Sequence, residues 1–480
     1  MAEGPPAPAG RASRALGWSF ANTVVSRLGT LAIGIALARV LGPSEFGVFA
    51  IAMVTLLAIL SFNELGVSLA IVRWPDEPRS IAPTVNTIAV GMSAILTAVV
   101  VLAAPWVSTA LGDVRATPVV QVLAISILIN GLVATPAAML QREFMSKQRM
   151  LADQLNSWLG AAVSLALALA GWGAMSLAIG RIVGSLASAI VFFRWSPEPY
   201  RFGWDPTVAR HLFSFGLPLA VSSIVVFGSG YADQVIIGTT LGATALGYYA
   251  LAFNLASWPV SIFSQPLRQV APAAFARLQH DPERMRRNFV SAAVVLSAVA
   301  LPACLAIAGA AKPVVGFVYG DVWIPAAAAL AWLAAQAALR IWFELTYDYL
   351  VILGRSRGLL AIQVGWFAVG VPSMLLGARW AGIAGVAAAQ FLVALTVVLG
   401  LYTWQLRRSG LLLLPLLRGL VLPIAAGLVA GAIAYGIAQL GLGQFVASLL
   451  AGLASCGVIA LLVLHHRPEI ALLRNVEAAA

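Results

Sequence analysis

Fourteen apolar stretches run along this chain, at 15–40, 46–70, 82–105, 117–140, 150–170, 173–194, 211–238, 244–268, 289–311, 323–353, 358–378, 382–404, 412–438 and 442–464. A helix needs about 20 apolar residues to cross the hydrocarbon core of a bilayer. No water is available there to bond stray N–H and C=O groups, so helices and closed barrels are the structures that cross. Runs of this length predict helices, and the fold class is all-α: a polytopic membrane protein of about fourteen transmembrane helices. The connections are short, none exceeding roughly 25 residues, which leaves no extramembrane domain.

Composition bears on what such a chain meets. Only 10% of its 480 residues are charged and 61% are hydrophobic, whereas soluble domains carry about 25% charge. The net charge of +11 would on its own suggest nucleic acid. The basic residues, however, sit in short runs between spans and not on a polar domain, so no nucleic-acid partner is expected. They also set orientation, because cytoplasmic loops collect Lys and Arg. With the N-terminus in the cytoplasm, twenty-two of the 29 Lys and Arg fall on inside segments. Four (Arg39, Arg115, Lys312, Arg379) fall outside and three (Arg27, Arg181, Arg340) lie within spans. Both termini are then cytoplasmic. The polar Pro/Ala-rich start shows no cleavable signal, so the first span is expected to act as an uncleaved anchor.

The chain repeats itself. LGPSEFGVFA (41–50) aligns with LGATALGYYA (241–250) at an offset of 200. Pro105, Val107, Gly112 and Asp113 then align with Pro313, Val315, Gly320 and Asp321 at an offset of 208, which also brings Lys147 and Arg149 to Arg355 and Arg357 and Trp172 to Trp380. The expected organisation is a tail (1–14), a six-helix lobe (15–200), a second six-helix lobe (201–408), two extra spans (409–464) and a second tail (465–480). Six spans return the chain to its starting side. The lobes should therefore be related by a pseudo-two-fold axis along the membrane normal, a parallel-repeat design that puts a transporter's substrate site between its halves.

ARVLGPSEFGVFA, YADQVIIGTTLGATALGYYALA and PAAMLQREF resemble the polysaccharide-transport (Wzx-like) flippases of the multidrug/oligosaccharidyl-lipid/polysaccharide exporter superfamily. The resemblance covers spans 1 to 12. It implies a two-lobed fold with a cationic cavity, alternating access, and the transfer of a polyprenyl-diphosphate-linked oligosaccharide from the cytoplasmic to the outer leaflet of a bacterial inner membrane, for lipopolysaccharide, exopolysaccharide or capsule synthesis. Polysaccharide polymerases and glycosyltransferases of the pathway are the implied protein partners. The two extra helices would suit a groove for the lipid tail, as in the related lipid II flippase.

Ionisable groups inside spans are the site candidates, because each costs about 2.5–3.5 kcal/mol at the bilayer centre unless it meets water or a partner. Arg27, in span 1 with Thr23 and Thr30 on its face, reads as a diphosphate ligand or as half of an inter-helix ion pair. Gln336, Arg340, Glu344 and Asp348 follow one another at intervals of four on span 10 and form one stripe. It reads as cavity lining with a charge relay, or as a pair, Arg340 with Glu344, within the helix. Arg181, beside Gly184, Ser185 and Ser188, reads as cavity or as packing. Asn254 heads a polar face on span 8 with Ser257, Ser261, Ser264 and Gln265. Asp233 and Glu64 are gate or ion-coupling candidates, with structural pairing as the alternative.

No nucleophile–base pair, nucleotide loop or metal spacing is present, and Cys304 and Cys456 lie inside apolar runs. No catalytic residue, cofactor or metal is therefore expected, and the chain reads as a non-enzyme. A drug–cation antiporter of the same superfamily is the alternative function. A membrane polymerase or ligase is a weaker one, because the external loops are short and hold no His.

Overall fold

The computed structural model describes residues 9–63, 71, 78–143, 145–277 and 281–467, with the backbone alone over 9–31, 61–63, 217–227 and 263–277 and at 78, 146, 215 and 229. The described residues are helical almost throughout. In chain order the helices are α1 (Ala9–Asn63), α2 (Ala82–Ala110), α3 (Ala116–Arg142), α4 (Ser146–Leu169), α5 (Ala174–Trp195), α6 (Pro206–Leu241), α7 (Ala243–Arg277) and α8 (Pro282–Gly309). They continue with α9 (Ala311–Tyr319), α10 (Ala326–Ile352), α11 (Ser356–Val393), α12 (Leu399–Arg408), α13 (Leu413–Gln439) and α14 (Gln444–His465).

Two of these are pairs of spans joined without a loop. α1 breaks at Gly42 (φ 71, ψ 174), followed by Pro43. α11 breaks at Gly382 (φ 58) and runs on through one π-helical turn, Ala394–Val398, into α12. Counting those halves separately, and taking α9 with α8, the described helices form fourteen spans in the expected order. Their outward sides are apolar: Leu102, Trp106, Ile190 and Trp380 are all at least 70% exposed, a surface made for lipid.

The repeat seen in the sequence is present in the backbone. Gly112 and Gly320 both have φ 96, and Gly42 and Gly242 have φ 71 and 84. Gly173 (φ 53, ψ −140) matches Gly382 (φ 58, ψ −138). That last pair stands at an offset of 209, so one residue is inserted after the matched tryptophans. Side chains with a Cβ rarely adopt these positive φ values.

Packing divides the chain into two units, residues 1–109 with 113–227, and 110–112 with 228–480. The division falls inside α6. In unit 1, α5 packs along α4 and α3, and α1 lies on α3 and α4. The α4–α5 contact is close because Gly160, Gly180 and Gly184 face it, with backbone or short side chains within 3.0 Å of where a Cβ would stand. Glu45, just after the α1 break, accepts the N–H of Ala174 at 2.8 Å, an acid at the positive end of α5. Arg115 reaches the same corner, 3.7 Å from Glu45, with Asp113 at 2.7 Å and Ser44 Oγ at 3.0 Å. In unit 2, α10 packs on α7, α8 and α11, while α13 and α14 pack against α8 and each other. Gly427 and Gly431 let α13 approach Leu301, Leu305 and Gly309 of α8. Only 22% of the most apolar window of α13 or α14 is buried, against 56% for α10, so the two extra helices present most of their surface outward.

Candidate functional site

The site candidates of unit 2 gather where α7, α10 and α11 meet. Ser257 on α7, Gln336 and Arg340 on α10 and Gln390 on α11 supply the polar wall of an open pocket whose apolar wall includes Phe253 and Val260. The α10 stripe descends from that pocket into the protein. Arg340 Nε bonds Glu344 Oε1 at 3.2 Å, with the arginine side chain 49% exposed and the glutamate 19%. One turn further on, Asp348 is buried. The pairing expected within the helix is therefore made, and it leaves much of the guanidinium open to the pocket. Asn254 lies exposed on α7, three residues before Ser257. The Ser257 hydroxyl donates to Phe253 O at 2.8 Å and that of Ser261 to Ser257 O at 2.7 Å, so their lone pairs remain as acceptors.

Asp233 lies beneath, in a network that sequence reasoning missed. It is 3% exposed. The hydroxyl of Tyr249 on α7 donates to its Oδ2 at 2.7 Å, and the backbone N–H of Gln234 donates to Oδ1 at 2.8 Å. Gln390 Nε2 donates to the tyrosine oxygen at 3.2 Å and lies 3.4 Å from Met374 Sδ. Gln390 therefore belongs both to the pocket wall and to the network around the buried acid. Each oxygen of the carboxylate has a donor, which is what a buried carboxylate requires.

The remaining candidates stand apart. Arg181 is on α5 in unit 1, and its Nε is buried with no hydrogen-bond partner among the described residues. Gly180 and Gly184, on either side of it, serve the α4 contact. The backbone of Arg27 lies in α1, but its side chain is outside the described residues, as are the side chains of Ser264 and Gln265; Glu64 lies outside them altogether.

Twelve spans in two glycine-registered repeats and two further helices, with a guanidinium open to a pocket and a carboxylate locked beneath it, define a multi-pass helical membrane protein of the transporter kind. A family profile described as "Polysaccharide biosynthesis protein" matches residues 36–328, more than half of the chain, and the chain belongs to that family. It is 23% identical over 375 residues to the lipopolysaccharide biosynthesis protein WzxC of Escherichia coli strain K12, covering 77% of this chain and 75% of the relative. It is 25% identical over 320 residues to the succinoglycan biosynthesis transport protein ExoT of Rhizobium meliloti strain 1021, covering 65% and 63%. In fold it is similar to the lipid II flippase MurJ in its inward closed conformation, with a TM-score of 0.78, 12% identity, and 93% and 98% of the two chains covered.

Proposed function

We propose that this chain is a flippase that carries a polyprenyl-diphosphate-linked oligosaccharide from the cytoplasmic to the outer leaflet of a bacterial inner membrane, for the synthesis of a surface polysaccharide. The observation that carries the reading is Arg340, a guanidinium held in a span yet half exposed in a pocket with polar walls. A guanidinium binds phosphate oxygens two at a time, and serine and glutamine side chains suit sugar hydroxyls. A lipid-linked substrate keeps its tail in the bilayer, so only its head group needs such a lining. The naming of relatives after lipopolysaccharide and succinoglycan biosynthesis supports the substrate class, and the excess of Lys and Arg on one side supports cytoplasmic termini.

No covalent step is required. The protein binds the head group from one side, exposes it to the other and releases it. Asp233 is the group we assign to ion coupling, through Gln390, which touches both the pocket and the Tyr249–Asp233 pair. Arg27 and Arg181 are proposed as further phosphate contacts, with Asn254, Gln336, Glu344 and Asp348 as pocket and relay groups and Glu64 as a second gate candidate.

The test is polysaccharide export in cells lacking the native gene, with variant levels in the membrane checked by blotting. Arg340→Ala and Arg27→Ala, made separately, are each expected to cut export at least tenfold. Normal export at normal protein level in both would overturn the phosphate-binding role.

A further inference from the structure

We propose that the turn joining α12 to α13 is a docking site for the head group of an anionic phospholipid, a site separate from the substrate pocket. The proposal takes from the reading above only the sidedness of the chain, which puts this turn at the cytoplasmic leaflet. The turn is rigid. Gly410 adopts φ 80. Its N–H donates to Arg407 O at 3.0 Å, and that of Leu411 donates to Leu406 O at 3.1 Å, a glycine-terminated helix end. Leu406 and Leu411 anchor it from below in a core with Tyr349, Tyr402 and Leu416.

Four arginines are collected around this turn. Arg355 Nη2 donates to Arg408 O at 3.0 Å. Arg408 lies 3.9 Å over the ring of Trp404. Arg286 packs on the Gly410 Cα so closely that a Cβ there would lie 2.6 Å from its Nη2. Arg407 is exposed in the same helical turn. Among the described residues, none of the four is ion-paired with a carboxylate.

An excess of Lys and Arg is general in cytoplasmic loops, but such residues ordinarily wave as separate point charges. Here three guanidinium groups are fixed on backbone and ring, with no acid paired to them among the described residues. Like charges held together repel, and an anion offsets that repulsion. Phosphate matches the guanidinium fork. The adjoining surface says which phosphate. Leu412, Leu414 and Leu417 at the start of α13 are 74%, 58% and 55% exposed, and Trp404 is 44% exposed. A tryptophan at this depth sits at the head-group level, and exposed leucines beside it receive acyl chains. A soluble phosphate would use the arginines and leave the leucines uncovered. A phospholipid uses both.

The experiment is lipid retention by the full chain in nanodiscs of phosphatidylcholine with one-fifth phosphatidylglycerol, measured by native mass spectrometry after release into detergent. Each juxtamembrane arginine is worth about fivefold in affinity for an anionic lipid. The double variant R355Q/R408Q is therefore expected to lose phosphatidylglycerol affinity about 25-fold. R407Q, whose side chain is exposed, is expected to lose about fivefold while keeping the wild-type unfolding midpoint. The control R201Q/R210Q, two arginines of the same expected side in unit 1, is expected to retain wild-type binding. Equal phosphatidylglycerol retention by wild type and R407Q, or an equal loss in the control, would overturn the site. Displacement of the lipid by millimolar inorganic phosphate would assign the arginines to a soluble anion and also overturn it. Nanodiscs offer the same lipids on both faces and the readout involves no transport, so failure of the flippase reading or of the orientation leaves this result unaffected.

Discussion

The two repeats share a scaffold and differ in chemistry. At matched positions unit 2 has Asp233, Tyr249 and Gln390, and unit 1 has Ile33, Phe49 and Arg181. The pocket residues Ser257, Gln336 and Arg340 correspond to Leu57, Leu128 and Leu132, and the rest of the stripe, Glu344 and Asp348, corresponds to Pro136 and Leu140. Ile33 and Phe49 pack in an apolar cluster with Leu37, Ala168 and Leu177. What the repeats do share is backbone: the positive-φ glycines that turn the chain between spans. A residue needed for the architecture is needed in both copies. A polar group present in one copy, and costly to bury there, is there for something else. This asymmetry supports the roles proposed above for Asp233 and Arg340, whose matched positions in unit 1 are apolar.

Taking the acid out of unit 2 should do the most damage. Asp233→Ala leaves the buried Tyr249 hydroxyl without its acceptor, at a cost of about 1–3 kcal/mol. The expected outcome is a lower unfolding midpoint in detergent and loss of export, whereas Ile33→Ala in unit 1 should lower the midpoint and leave residual export in proportion to protein level. Equal export from the two variants at equal protein level would remove the distinction between the repeats. Tyr249→Phe puts the unit 1 residue into unit 2. It deletes one hydroxyl that serves Asp233 and Gln390 and should cost about 1 kcal/mol, visible as a smaller fall in midpoint with the helical circular dichroism intact.

Much of this is legible in the amino-acid sequence. The spans follow from the length of apolar runs, and the repeat from ten residues, LGPSEFGVFA against LGATALGYYA. Asp233 stood out because an acid in a span is rare. Its partners did not. Tyr249 is 16 residues away and Gln390 a further 141. A hydroxyl and an amide inside apolar runs look like any other interruption until helix packing brings them together. The packing division inside α6 was hidden for a related reason: a continuous helix gives no sign in its own sequence of changing neighbours halfway. Glu45 was legible as part of the repeated motif, but its bond to the start of α5 joins residues 129 apart and depends on tertiary structure alone.

Arg181 is a polar group of unit 1 without a counterpart charge in unit 2, and it tests the comparison from the other side. Its Nε is buried and unbonded among the described residues, a position that works against stability. Arg181→Met keeps an unbranched chain out to the position of Nε and removes the charge, and an apolar replacement of a buried charged group is often neutral or stabilising. The expected outcome is an unchanged or higher unfolding midpoint together with reduced export. A lower midpoint with full export would make Arg181 a structural residue, and unit 1 would then hold one less candidate for phosphate contact.

The smallest effect belongs to the ionic corner of unit 1, where the comparison concerns loops and not spans. Glu45, Asp113 and Arg115 meet there, while the repeat partner of Glu45 is Ala245. The Arg115 side chain is 58% exposed, so water screens the pair and Arg115→Ala should cost less than about 1 kcal/mol. The pH dependence gives the sharper test. The Arg115 hydrogen bond, against a smaller desolvation effect, holds the Asp113 carboxyl below its ordinary value. A carboxyl with a depressed folded-state pKa contributes its full stabilisation above the unfolded value, about 3.9, and loses it as pH falls through the folded value. Wild type and Arg115→Ala should therefore differ in unfolding midpoint at pH 5 to 7, begin to approach each other below about pH 4, and converge only as the pH falls through the lower folded-state value. A difference that persisted at low pH would show that Arg115 acts by packing against Ser44 and the α1 break, and that the corner is held without its charges.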